Sequence, residues 1–186
     1  NVSEVAKGHQ DQIDSWALLE MPVNLYYHKH LMYNAGIIFS RGEICVICDS
    51  DAMATPTFIE TIIKEFDNNK NIVLHIDQFR NVREDLYPFN YPSFQEVLDY
   101  GCKNNVNGKT QGLVDKTDPI HNRNYGACMC ALRDDLITIG GADEHIDYLG
   151  HICGPYDMTF RLVNYGRKEV WHNEEFTMHT WHPGAA

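Results

Sequence analysis

Two rhythms of apolar and polar residues run along this chain, and they alternate. Gln12–Glu20 carries a possible helix, and "VNLYYH" (Val23–His28) reads as a short strand. "LMYNAGIIFSRG" follows as a helical stretch closed by Gly42. "EICVICD" is apolar on both faces, which predicts a central, parallel strand covered by helices on both sides. "TPTFIETIIKEFDNN" is a strong helix. Thr55 can cap it, Pro56 suits its first turn, and Phe58, Ile59, Ile62, Ile63 and Phe66 make one apolar face. "NIVLHID" is a second buried strand, so strand, helix and strand of these lengths predict α/β layering.

From about Gln78 to Asn124 the periodicity fades. Tyr87, Phe89, Tyr91 and Phe94 lie there among prolines, ahead of the polar tract "KNNVNGKTQG". A loop of this length in a compact domain is usually functional or mobile. The rhythm returns with "YGACMCALR", a strand, and "RDDLITIGG", a short helix ending in glycines. "GPYDMTFRLVNYG" is a helix with Pro155 near its start and Gly166 just past its end. "KEVWH" is a further strand, and the tail "EEFTMHTWHPG" is rich in histidine and aromatic residues.

Composition narrows the picture. A chain of 186 residues, 44% hydrophobic and 22% charged, is enough for one globular domain with its own core. The formal net charge of −11 argues against a nucleic-acid partner held by phosphate contacts. No apolar run approaches the ~20 residues of a membrane span, and the N-terminus lacks the apolar core of a signal peptide. No methionine opens the chain, so a fragment or a processed product is expected. Cys45 and Cys48 form a C-x-x-C, but residues three apart on a strand face opposite ways and cannot share one ion. Cys128 and Cys130 would share a face. All six cysteines read as reduced and mostly structural, which points to a cytoplasmic chain, with a peripheral place at a membrane left open.

The candidate chemistry lies in "CDSDAM". Ligands of open α/β sheets bind beyond the carboxyl ends of the strands, where Asp49 and Asp51 stand. Two carboxylates held close repel, and a divalent cation removes the conflict. Oxygen ligands suit Mg²⁺ or Mn²⁺. An Asp-Ser-Asp turn that only caps the next helix fits the local motif equally well.

Wider motif order changes that balance. Asn34 and Gly36 are followed by Gly42 and Glu43, by Asp49 and Asp51 after a hydrophobic strand, and by Pro56. Later come Gly140, Gly141, Asp143 and Glu144, then Asp157, Arg161 and Leu162. This order resembles the GT-A glycosyltransferases, the family 2-like branch above all. The second half also resembles galactosyl- and N-acetylgalactosaminyl-transferases. The resemblance spans roughly Val23 to His182.

The resemblance implies a GT-A-type, Rossmann-like mixed α/β sheet with flanking helices. It also implies a metal-dependent hexosyltransferase moving a sugar from a nucleotide donor, a UDP-sugar first, to a hydroxyl on a glycan, as in polysaccharide biosynthesis. Asp49 and Asp51 would hold a metal on the diphosphate, Asp51 touching it directly and Asp49 facing the ribose. Asn34 and Arg80 would join them on the donor side, although Arg80 could equally pair with Asp77. A further metal ligand would be a C-terminal histidine: His179 is best placed, His182 next, and His172 is also on offer. Carboxylate plus histidine favours Mn²⁺ over Mg²⁺. Asp143, Glu144 and Trp181 would face the acceptor, and the aromatic stretch Tyr87–Phe94 is a weaker acceptor candidate.

Two departures matter. Many inverting members carry Glu-Asp where this chain has Gly154 and Pro155, so the base falls to Asp143, Glu144 or Asp157, or the mechanism is retaining. The first β-α-β portion of the fold is absent from the pattern, so residues 1–186 are expected to be a single domain incomplete at its N-terminus. A non-catalytic carbohydrate- or partner-binding module derived from a transferase is the alternative. A nucleotide-sugar pyrophosphorylase would need a basic, glycine-rich N-terminal loop that this sequence lacks. A separate zinc site at His28 and His30, or at His179 and His182, has no complementary ligand pattern in the sequence.

Overall fold

The computed structural model describes residues 2–20, 28–81, 83–86, 93, 95–96, 102–104, 124–145 and 154–183. Five α-helices lie among these: α1 (Val2–Gly8), α2 (Lys29–Phe39), α3 (Phe58–Asn68), α4 (Arg133–Thr138) and α5 (Gly154–Asn164). The strands are β1 (Ile44–Cys48), β2 (Ala52–Ala54), β3 (Ile72–Asn81), β4 (Cys102–Asn104), β5 (Cys128–Leu132) and β6 (Lys168–His179). Together they form one mixed sheet in the order β1-β5-β3-β6-β2, with β4 paired to β3 off this path. Only β3 and β6 run parallel; the other pairings are antiparallel.

Helices cover both faces. On one, α2, α4 and α5 press Ile37, Leu136, Met158 and Leu162 against Ile47, Val73 and Met129. On the other, Phe58, Ile62 and Phe66 of α3 pack on Ile72, Leu74, Ile76, Cys128 and Cys130. Each such fully buried side chain contributes roughly 1.5–3 kcal/mol relative to leaving it in water. Arg167 forks onto the buried carboxylate of Asp135 with two 2.6 Å bonds and ties the end of α5 to α4. Gly166, at φ 101°, makes the left-handed turn that lets the chain leave α5 for β6.

Strand β6 is interrupted. Its ladder to β3 pairs His75 with Trp171 and then Asp77 with Phe176. The bulge is closed by His172, whose Nδ1 accepts the backbone N–H of Glu174 at 3.1 Å and of Glu175 at 2.7 Å. Glu175 is buried, and its carboxylate accepts the hydroxyls of Thr55, Thr57 and Thr61 and the amide of Phe176. Burial pushes this carboxyl up, but the hydroxyls outweigh it and hold Glu175 below its ordinary range.

Several expectations change. Strand β1 has one partner among the described strands, β5, and that pairing is antiparallel; Val46 and Cys48 stay exposed. The apolar run therefore does not mark a central, parallel strand. Gln12–Glu20 forms no helix; the N-terminal helix is α1, and residues 9–20 are exposed. Ile59 and Ile63 are 61% and 48% exposed, so the buried stripe of α3 is narrower than its apolar stripe. The predicted strand at Val23 lies outside the described residues, as do Tyr87, Phe89, Tyr91 and Phe94.

Candidate metal and donor site

The sheet itself assembles the site. Strand β2 pairs with the end of β6 so that Ala52 faces His179. Asp51 is thereby set beside Thr180, whose amide and hydroxyl donate to the Asp51 carbonyl at 2.8 and 2.9 Å. Its side chain meets both tail histidines: His179 Nε2 lies 3.2 Å and His182 Nε2 2.9 Å from Asp51 Oδ2. Ligand atoms of Asp51, His179 and His182 all fall within 4.8 Å of one another. Trp181, between the two histidines, is half-buried.

Electrostatics fit the same picture. The hydrogen bond from His179, reinforced by the nearby imidazoles, holds the Asp51 carboxyl down to about 2 against the opposing effect of burial. The other oxygen, Oδ1, is buried and has no hydrogen-bond partner among the described residues. A buried carboxylate oxygen without a partner costs free energy unless something electropositive reaches it. Two imidazoles and one carboxylate are a donor set that divalent transition-metal ions accept, so the residues fit a metal.

Asp49 stands apart from this cluster. Its Oδ1 accepts the Lys29 ammonium at 3.2 Å, and its amide donates to Ala127 O at 3.3 Å. Lys29 was not singled out from sequence; it opens α2 in no recognisable motif, and only the fold brings it to Asp49. Arg80 lies beside His179 on the β3–β6 ladder, while its side chain is outside the described residues. His172 serves the β6 bulge instead of the metal cluster. His28 and His30 are both buried, with ring centroids 5.7 Å apart.

The Gly140–Glu144 turn is pinned from three sides. Asn34 Oδ1 accepts the Ala142 amide at 2.7 Å, and Asn34 Nδ2 donates to Ala142 O at 2.9 Å and Glu144 Oε1 at 2.7 Å. His30 Nδ1 donates to Asp143 O. Arg161 donates to the carbonyls of Ile139 and Gly141 and holds Asp157 Oδ2 at 2.6 Å. An open cleft of about 530 Å³ results, lined by Asn34, Asp143, Glu144, Asp157 and Arg161 among others. Asp143 and Glu144 are exposed at its rim, whereas Asp157 is committed to Arg161. Asn34 thus acts as a clamp on the turn that carries two candidate acceptor-side carboxylates.

Comparison with known proteins supplies a family. The model of glycosyl transferase family 2 matches residues 1–137. That stretch includes Asn34, Asp49 and Asp51; His179 and His182 lie beyond it. No curated protein matches the chain. No described helix is long and apolar enough to cross a membrane. With a match over well more than half its length, this chain belongs to glycosyl transferase family 2.

Proposed function

We propose that this domain is a metal-dependent hexosyltransferase that moves a sugar from a nucleotide donor, a UDP-sugar first, to a hydroxyl acceptor on a glycan. The observation that carries this reading is the convergence of Asp51, His179 and His182, with the buried Asp51 Oδ1 without a partner among the described residues. Asp51, His179 and His182 would hold Mn²⁺ there, and when bound the ion would offset the negative charge that gathers on the departing nucleoside diphosphate. Asp49 and Lys29 form the neighbouring polar wall, with Lys29 3.2 Å from the Asp49 carboxylate. The rim carboxylates Asp143 and Glu144 face the acceptor side, where a base must come within about 3 Å of the attacking hydroxyl. Asp157 is the weaker base candidate, since taking up a proton would cost it the Arg161 pair.

Calorimetric titration of UDP with and without Mn²⁺ tests the assignment. Binding should need the ion and should be lost in Asp51→Ala. An Asp51→Ala protein that binds UDP and Mn²⁺ as the wild type does would refute the metal site. A donor-hydrolysis assay with added Mn²⁺ separates a transferase from a non-catalytic sugar-binding module.

A further inference from the structure

On the α3 side of the sheet, just before the Asp49–Asp51 turn, three thiols lie together. Cys48 of β1 is the direct ladder partner of Cys128 of β5. Cys128 Sγ lies 3.7 Å from Cys130 Sγ on the same strand. None of the three serves the metal cluster, and the α/β fold does not need thiols here, since Cys48 is exposed.

The bonding pattern of the ladder fixes what kind of pair Cys48 and Cys128 make. Arg133 N donates to Glu43 O at 2.8 Å, and Asp49 N donates to Ala127 O at 3.3 Å. Both contacts continue the register Ile44–Leu132 to Cys48–Cys128, so the odd positions of β1 are the hydrogen-bonded pairs. Cys48–Cys128 is therefore a non-hydrogen-bonded antiparallel pair. In such pairs the Cα atoms are about 4.5 Å apart and the side chains approach most closely. A disulfide accepts Cα separations of about 4.4–6.8 Å. The same-strand alternative, Cys128–Cys130, spans about 6.8 Å, the far end of that range.

We propose that Cys48 and Cys128 form an oxidation site, closing a cross-strand disulfide that fastens the end of β1 to β5 one residue before Asp49. The oxidant is a peroxide or an azo compound such as diamide. Each thiol gives up its hydrogen, the sulfurs join, and the diamide N=N bond takes both hydrogens to become a hydrazine. Cys48 is exposed at the end of β1, which gives the oxidant access, while Cys128 and Cys130 are buried behind it. The link would hold the Asp49 backbone in its Ala127 contact and so restrict the turn that carries Asp51.

The test is peptide mapping of the folded protein after diamide treatment, with unreacted thiols alkylated before digestion. The expected product is one peptide pair joining Cys48 to Cys128, two hydrogens lighter than its parts and released by dithiothreitol. Cys130→Ser should still give it, and Cys48→Ser should not. The oxidised protein should melt roughly 4–16 °C higher than the reduced one, an increment that dithiothreitol reverses. A Cys128–Cys130 link, or Cys48 recovered only as free or over-oxidised thiol, would overturn the proposal. Because mapping is done on the wild type, a variant that fails to fold does not decide the outcome.

Discussion

Gly141 makes a sharp prediction about the turn that carries Asp143 and Glu144. Both Gly140 (φ 83°) and Gly141 (φ 68°) sit in the left-handed region, where an L-residue costs roughly 1–2 kcal/mol. Their surroundings differ. A Cβ on Gly140 would meet nothing within 4 Å, whereas on Gly141 it would fall 2.2 Å from Asn34 Oδ1. Asn34 would have to swing away, and its two bonds to Ala142 would break. At roughly 0.5–1.5 kcal/mol each, these add about 1–3 kcal/mol. Gly140→Ala should therefore cost about 1–2 kcal/mol and Gly141→Ala about 2–5 kcal/mol. Urea unfolding midpoints measure the difference. In an Asn34→Ala background the excess of Gly141→Ala over Gly140→Ala should vanish, since no clamp is left to displace. Equal costs at the two glycines, or an excess that survives Asn34→Ala, would refute the clamp.

Three further outcomes follow from the site. His179→Ala and His182→Ala should each weaken Mn²⁺ binding about tenfold or more, read by calorimetry with the metal alone, while far-ultraviolet circular dichroism stays unchanged. Asp51 has a carboxyl lowered on folding, so its stabilisation is present above the ordinary value of 3.8 and is lost as pH falls towards about 2. Halved for solvent exposure, that contribution is about 1 kcal/mol, and Asp51→Asn should flatten the acid limb of stability by this much. Glu175→Gln should destabilise by roughly 1–3 kcal/mol in chemical unfolding, because a neutral amide replaces a carboxylate that three threonine hydroxyls address. The lowered carboxyl of Glu175 gives the same sign: the loss should be full at neutral pH and shrink as acid protonates the wild type.

The α/β layering was legible because α3, β3, β5 and α5 each carry a periodicity of their own. Neighbour count was not. "ICVIC" reads the same whether it has one partner or two, and apolar content does not separate parallel from antiparallel pairing. Strand β2 escaped notice because Ala-Met-Ala has no pattern beyond its pairing with β6. Asp51 and the tail histidines were visible as ligand types. Their meeting depends on the Ala52–His179 register, which no local signal encodes. Lys29 and the Asn34 clamp are long-range contacts of the same kind, recorded in the fold and silent in the string.

The bulge in β6 works as a parity device. Between its two paired stretches β3 advances from His75 to Asp77, while β6 advances from Trp171 to Phe176. Three extra residues are taken up, an odd number, so every later side chain of β6 is turned to the opposite face. Trp171 stacks on His75 beneath α5, while Glu175 faces the threonines around α3, and His179 shares the Glu175 face. Chain length in this short detour thus decides which side of the sheet receives His179. Removing one residue from 172–175 would carry His179 away from Asp51, whereas removing two would preserve its facing. Insertions and deletions here should therefore be tolerated in pairs, a constraint of counting that adds to the demand for His172 and Glu175 themselves.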